Sequence, residues 1–319
     1  MGTTNTRVWI VDRGRIVVRL TEPVGLRDAA REHDPFLVRK SIRRLLATAC
    51  SRASELHLGA ECVLAAGMLT SPLGLREVPH LVAPVGEQQL AQGLVKLTEA
   101  DLSELPIYLV PGVRSGPQSP RLEELGKTDL LRGEETLIVG LLDAGVLSRN
   151  TTLLNLGSHW KAITIDEKCR ISRSFTTLSG ELLHVLQTQT VLASALLPGR
   201  VEEMDLEWFE RGREFETRSG IGRALFSVRL LEQIFHTGPV ALVSFLMGAL
   251  VGSDARSMER AGALQGTIVI TGAGAAPKAW QAIFETTGRE HRLCDAETAE
   301  QALQRGLVRL FHLYRMQAA

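Results

Sequence analysis

The chain has few cysteines, no excess of either charge and no long apolar run. Cys50, Cys62, Cys169 and Cys294 stand far apart without a C-x-x-C pair, which argues against a zinc site or a disulfide framework and for a reducing compartment. Lys+Arg and Asp+Glu both number 36, so nothing in the charge balance asks for nucleic acid or an anionic membrane. Small molecules are the expected partners. The longest apolar run, residues 239–252, falls short of the roughly 18 residues that span a bilayer, and no leader-like segment precedes the first strand. The expected place is the cytoplasm. What the chain does have is length and apolar content: 319 residues, 45% hydrophobic and 23% charged, enough for two domains with sizeable cores.

The stretch that organises the rest runs from Leu153 through Asn155-Leu156-Gly157-Ser158-His159-Trp160-Lys161 to Ile165, then Asp166-Glu167-Lys168-Cys169-Arg170-Ile171. It reads as a buried strand, a tight Gly-Ser turn, a second strand, a polar turn and the start of a third strand. A glycine at such a turn lets the backbone approach a bound group, so the N–H groups of Gly157, Ser158 and His159 can point at an anion, with Lys161 as a charge nearby. The order recurs in Gly2-Thr3-Thr4-Asn5-Thr6-Arg7 followed by an apolar strand, Asp12-Arg13-Gly14, Arg15 and Ile16. Two copies of one hairpin, each opened by a phosphate-sized loop, suggest two similar halves facing each other across a cleft. The first copy has only Met1 where the second has the apolar strand 152–156. The chain as given therefore begins inside a motif.

Further along, residues 27–53 read as one amphipathic helix. Short strands at 61–66 and 107–110 end at Gly67-Met68 and Pro111-Gly112, and strand ends of this kind are where α/β proteins place ligands. Residues 113–127 read as a mobile loop leading to Asp129-Leu130-Leu131-Arg132-Gly133-Glu134-Glu135-Thr136 and an apolar helix. Adjacent carboxylates suit the first turn of a helix. With Arg132-Gly133 before them, they also suit a general base beside a cation for an anionic substrate or a transferring phosphoryl group. Ser179 reads as the N-cap of a helix opening Gly180-Glu181, and Thr176, Thr177 and its first N–H groups can take a carboxylate. Helix 239–252 carries Gly248 and Gly252 on one face for close approach, and the closing helix 299–313 does the same with Ala302 and Gly306. Strand 266–270 runs into Thr271-Gly272-Ala273-Gly274-Ala275-Ala276-Pro277. A dinucleotide fingerprint fails here because Pro277 stands at its third glycine. A flat surface for adenine or ribose suits the loop better.

Two duplicated hairpin loops, a carboxylate-bearing loop between the halves and a late T-G-A-G loop resemble the layout of the actin-like sugar kinase and Hsp70 ATPase superfamily. Arg132-Gly133-Glu134-Glu135-Thr136, with the Gly2 loop, Ala66-Gly67-Met68, Pro111-Gly112, Gly157-Ser158-His159-Trp160-Lys161 and Gly180-Glu181-Leu182, resembles the 2-dehydro-3-deoxygalactonokinase family from residue 2 to about residue 310. The resemblance implies a two-domain α/β fold of the actin-like, ribonuclease H-like kind, with a substrate half at 1–148 and a nucleotide half at 149–319. It implies ATP- and Mg²⁺-dependent phosphorylation of the 6-hydroxyl of 2-dehydro-3-deoxy-D-galactonate in galactonate catabolism. Carried over residue by residue, Gly2, Thr3, Thr4 and Asn5 form one phosphate loop, Gly157, Ser158, His159 and Lys161 the other, and Thr271, Gly272, Ala273 and Gly274 the adenosine loop. Substrate contacts fall to Arg7, Gly67, Met68, Arg132, Gly180 and Glu181, and the base is Glu134, Glu135 or, in reserve, Asp129. The metal ligands and a homodimer stay open. Family members carry an apolar strand and an aspartate before the Gly-Thr-Thr-Asn loop, so that first strand is expected to lie upstream of Met1. A kinase for another 2-keto-3-deoxy acid and a non-catalytic sugar- or ATP-binding protein are the alternatives.

Overall fold

The computed structural model describes residues 1–2, 4–32, 34 and 36–318. The chain forms two compact units: Met1–Ser148 with Lys168–Ser172 and Glu297–Ala319, and Arg149–Glu167 with Arg173–Ala296. The expected division at 148/149 thus differs in two places. The turn at 168–172 and the C-terminal helix belong by their contacts to the first unit. The reason for the turn is local, since Val85 and Ile171 exchange backbone hydrogen bonds at 2.9 and 2.8 Å.

The first unit opens on β1 (Thr6–Asp12) and β2 (Arg15–Glu22), an antiparallel pair. Their turn takes positive φ at Arg13 (47°) and Gly14 (77°), the backbone that matches the twist of a two-residue hairpin. The expected helix 27–53 is two helices, α1 (Leu26–Glu32) and α2 (Phe36–Glu55). β3 (Val63–Ala65), β4 (Leu81–Val82), the short helix α3 (Glu87–Gln92), β5 (Val95–Leu97), β6 (Ile107–Leu109), β7 (Val113–Ser115) and β8 (Asp129–Leu131) follow. They make two three-stranded sheets ordered β3-β6-β5 and β4-β7-β8. The segment read as a mobile loop therefore contributes a strand, and Arg114 holds its tip by donating to the carbonyls of Pro117 (2.6 Å) and Gln118 (2.7 Å). Val38, Ile42 and Leu46 of α2 pack with Ala65, Leu97, Ile107 and Leu109 in one buried cluster. That cluster fixes where β3 ends and so where Gly67 turns.

Helix α4 (Glu134–Asp143) follows β8 directly. In the second unit come β9 (Thr151–Leu156), β10 (Trp160–Ile165), β11 (Ile171–Thr177, whose first two residues belong to the first unit), α5 (Ser179–Thr188), α6 (Leu206–Ser219), α7 (Ile221–Phe235), α8 (Pro239–Arg260), β12 (Thr267–Gly272), α9 (Ala276–Thr286) and β13 (His291–Cys294). The sheet order is β11-β10-β9-β12-β13, with β12 parallel to both of its neighbours. Leu154, Leu156, Trp160, Ala162, Ile268 and Ile270 alternate onto one face, where they meet Trp280 and Phe284 of α9 and Met247 and Val251 of α8. Strands covered in this way are apolar on the buried face whatever the other carries. α8 is longer than the apolar run suggested: its 22 residues are long and apolar enough to cross a membrane by length and composition, and 72% of that window is buried inside the protein, the pattern of a core helix.

The chain ends in α10 (Ala296–Ala318). The expected close approaches are present. A Cβ on Gly248 would stand 1.9 Å from the Phe209 carbonyl of α6, and one on Gly306 would stand 2.0 Å from the Thr136 carbonyl of α4.

Candidate functional site

In the first unit the site grows from the end of β8. Leu131 is buried and ties the strand to the core, so Arg132 leaves it in a fixed direction. Nη1 donates to Thr70 Oγ1 at 2.6 Å, and Nη2 donates to the Val78 carbonyl at 3.0 Å and lies 3.4 Å from His80 Nδ1. A hydroxyl and a backbone carbonyl thus fix the two arms of the guanidinium fork. Burial pulls the Arg132 guanidinium below its ordinary value, against the opposing fields of Glu135 and Glu77. Gly133 turns the chain with φ 108°, a conformation that glycine adopts at no steric cost. It also lies against Gly67, whose Cα would be 3.3 Å from a Cβ at position 133. Gly67 itself has φ 84°, and a Cβ there would strike the Met1 carbonyl at 2.3 Å. The Met68–Thr70 turn that follows supplies the hydroxyl for Arg132.

This turn separates the paired carboxylates. Glu135 is fully buried, and its two oxygens accept the Gly133 N–H at 2.8 and 2.7 Å. Glu134 is partly exposed and accepts the Arg132 backbone N–H at 3.2 Å. One carboxylate thus closes the turn from inside while the other stands at its surface. Asp129 lies within β8 opposite Ser115. In the first loop the Gly2 N–H donates to the Asn5 carbonyl at 2.9 Å and Asn5 Nδ2 donates to Thr4 Oγ1 at 3.1 Å, giving a closed turn. Arg7 is exposed on β1. Thr3 lies outside the described residues.

In the second unit the 157–159 loop joins β9 to β10 and lies on the first turn of α5. A Cβ on Gly180 would stand 2.2 Å from the Gly157 carbonyl and 2.8 Å from that of Ser158. The Glu181 N–H donates to the Ser158 carbonyl at 2.6 Å, and His159 Nε2 lies 3.1 Å from Glu181 Oε2. Gly180 and Glu181, expected among the substrate contacts, therefore form one cluster with the Gly157 loop. Ser179 does not cap its helix, because Leu178 holds that position. Lys161 is buried within β10, opposite Asn155, which is in turn opposite Thr271 of β12. Gly272 is likewise opposite Leu156, so the two loops leave neighbouring strands side by side. A Cβ on Gly274 would stand 2.4 Å from the Val201 carbonyl, which also accepts the Ala275 N–H at 2.7 Å. Only a residue without a side chain lets that segment lie so close, while Ala273 stays exposed beside it.

Asp254 of α8 was not legible as part of this cluster; its one signal was an acid closing an apolar run. It is buried, and Thr177 Oγ1 donates to its Oδ2 at 2.6 Å. Burial raises its carboxyl from 3.8 to about 6, partly offset by hydrogen bonds from Thr177 and Ser179. A folded-state value above the unfolded one means that the fold binds the proton more tightly. The stability this brings is complete below about pH 4 and is lost as pH rises to about 6, a change of about 3 kcal/mol. Melting curves from pH 4 to 8 should therefore show Asp254→Asn gaining on the wild type up to about pH 6, with a constant advantage above it. Equal pH dependence of the two proteins would contradict this account.

Comparisons with known proteins bear on the whole chain. A family model described as 2-keto-3-deoxy-galactonokinase matches residues 1–310. A 2-dehydro-3-deoxygalactonokinase from Escherichia coli (strain K12) is 26% identical over 242 residues, which cover 75% of this chain and 76% of that protein. The crystal structure of a candidate 2-dehydro-3-deoxygalactonokinase from Sinorhizobium meliloti superposes with a TM-score of 0.74 at 20% identity, over 97% of this chain and 95% of its own. The activator of the 2-hydroxyisocaproyl-CoA dehydratase from Clostridium difficile, with bound ADPNP, gives 0.51 at 13% identity over 100% and 95%. At such identities these structures speak to the fold alone, the mixed α/β fold of actin-like ATPases and sugar kinases.

Proposed function

The chain belongs to the 2-keto-3-deoxy-galactonokinase family, and from that premise we propose that it phosphorylates the 6-hydroxyl of 2-dehydro-3-deoxy-D-galactonate, a step of galactonate catabolism. As a member it is a phosphotransferase that uses ATP. The observation that carries the reading is the unequal setting of Glu134 and Glu135. A base for phosphoryl transfer has to reach a substrate hydroxyl, and the partly exposed Glu134 can do so. Glu135, closed onto Gly133, instead holds the turn that aims Arg132.

In this reading Glu134 orients the attacking hydroxyl and takes its proton as the terminal phosphoryl leaves ADP. Arg132 meets the carboxylate of the sugar acid, with Gly67, Met68 and Arg7 as further contacts and Asp129 as the reserve base. Gly2, Thr3, Thr4 and Asn5 form one phosphate loop and Gly157, Ser158 and His159 the other, with Lys161 beneath it. Thr271, Gly272, Ala273 and Gly274 take the adenosine. Gly180 and Glu181 act through the 157–159 loop, the role their contacts support. Magnesium would arrive on the nucleotide. Among the described residues no group of three or more His, Cys, Asp or Glu could hold a metal ion. Once bound it supplies charge neutralisation on the phosphates. The free cysteines support a reducing compartment, and we assign the protein to the cytoplasm.

The test is ADP release over a panel of 2-keto-3-deoxy acids, with the phosphorylated carbon identified by NMR. Release that requires both ATP and the galactonate-derived acid is the expected result. Release no faster than with water alone, across the panel, would end the kinase reading.

A further inference from the structure

A buried carboxylate is an expensive way to hold one hydroxyl group. Asp254 sits at 7% exposure on α8, an otherwise largely apolar core helix, and accepts a hydrogen bond from Thr177 Oγ1 at 2.6 Å, two residues before Ser179 opens α5. Those two residues bracket the junction of β11 and α5. The next two residues support the 157–159 loop: Gly180 lies against the carbonyls of Gly157 and Ser158, and the Glu181 N–H binds the Ser158 carbonyl. An unbroken path of short contacts thus runs from Asp254 through the junction to the loop.

The chemistry of the group fits this placement. An ionised carboxylate accepts hydrogen bonds and cannot donate them, so Thr177 must turn its proton inward, and the end of β11 is held in one arrangement. An amide would offer donors of its own and let the Thr177 hydroxyl turn the other way. A neutral residue would also suit the surrounding core better, since burial raises the carboxyl to about 6 and the charge is carried at neutral pH against that cost. Local arrangements that cost stability gather at functional sites.

We propose that Asp254 is a positioning residue for the nucleotide: acting through Thr177, it fixes the β11–α5 junction beneath the 157–159 loop, so that the loop's N–H groups are set before phosphate arrives. The inference rests on the reading of that loop as a phosphate loop.

Asp254→Asn separates this role from a structural one. Its melting temperature at neutral pH should equal or exceed that of the wild type, while the Kd for ADP by titration calorimetry and the KM for ATP rise about tenfold or more. The KM for the sugar acid should stay within about twofold. Thr177→Val should weaken ADP binding in the same way and add little on top of Asp254→Asn, as expected of residues acting in series. It also serves as the test should Asp254→Asn fail to fold. Unchanged ADP affinity in both folded variants overturns the proposal, as does a change confined to the sugar acid. A wild-type protein that binds neither ADP nor ATP ends both this inference and the reading of the loop. Binding of nucleotide without phosphorylation of any sugar acid ends the kinase reading alone, and ADP affinity then still decides the role of Asp254.

Discussion

Glu134→Gln is expected to fold like the wild type and to lose about two to four orders of magnitude in turnover, the contribution typical of a general base. Glu135→Gln should behave differently. Glu135 is fully buried, and both of its oxygens serve the Gly133 N–H. An amide can replace one acceptor only and brings a buried NH₂ group, at a cost of about 1–3 kcal/mol. The second variant should therefore show a lower melting temperature, with activity lost in proportion to the loosening of Arg132. Steady-state rates and melting curves on the two proteins distinguish the roles. Near wild-type turnover in Glu134→Gln would remove the base from this position, and Asp129 of β8 would be the next residue to test.

This division was out of reach of the sequence. Arg132-Gly133-Glu134-Glu135 is legible as a cation, a joint and two acids, and those acids have nearly the same neighbours. Both side chains fold back on the N–H two residues before them, and what separates them is burial: at the turn that Gly133 makes with φ 108°, Glu135 is enclosed and Glu134 stays partly exposed. The groups that aim Arg132 were hidden for a different reason. Thr70, Val78 and His80 precede it by 62, 54 and 52 residues, and no local pattern joins them. The hairpins, the close-packed glycines of α8 and the T-G-A-G loop were legible because each is written within a few residues, as alternation, helical spacing or a turn. The position of Asp254 beside Thr177 follows only from packing between elements 77 residues apart. The same holds for α10, which is read as a helix from its own spacing but assigned to the first unit only by its contacts.

Gly180→Ala is expected to damage both the fold of the second unit and turnover. A Cβ there would stand 2.2 Å from the Gly157 carbonyl, 2.8 Å from that of Ser158 and 2.9 Å from Trp160 Nε1. Two of these are backbone atoms that a side-chain rotation cannot clear, so either α5 or the 157–159 loop has to move. Overpacking of this kind costs about 1–3 kcal/mol, and a displacement near 1 Å in a positioning element can cost roughly 100-fold in rate. Gly157→Ala is the control for the opposite case. Its Cβ would have the His159 carbonyl at 3.8 Å as its nearest neighbour, an ordinary van der Waals contact, so the fold should be untouched. If phosphate approaches the backbone at Gly157, this variant should keep its melting temperature and lose affinity for ATP, while Gly180→Ala loses both. Measuring kcat/KM for ATP together with the melting temperature gives the two patterns. Wild-type kcat/KM in Gly180→Ala would show that the contact between α5 and the loop does not support turnover, and wild-type kcat/KM in both would take the loop out of the nucleotide site.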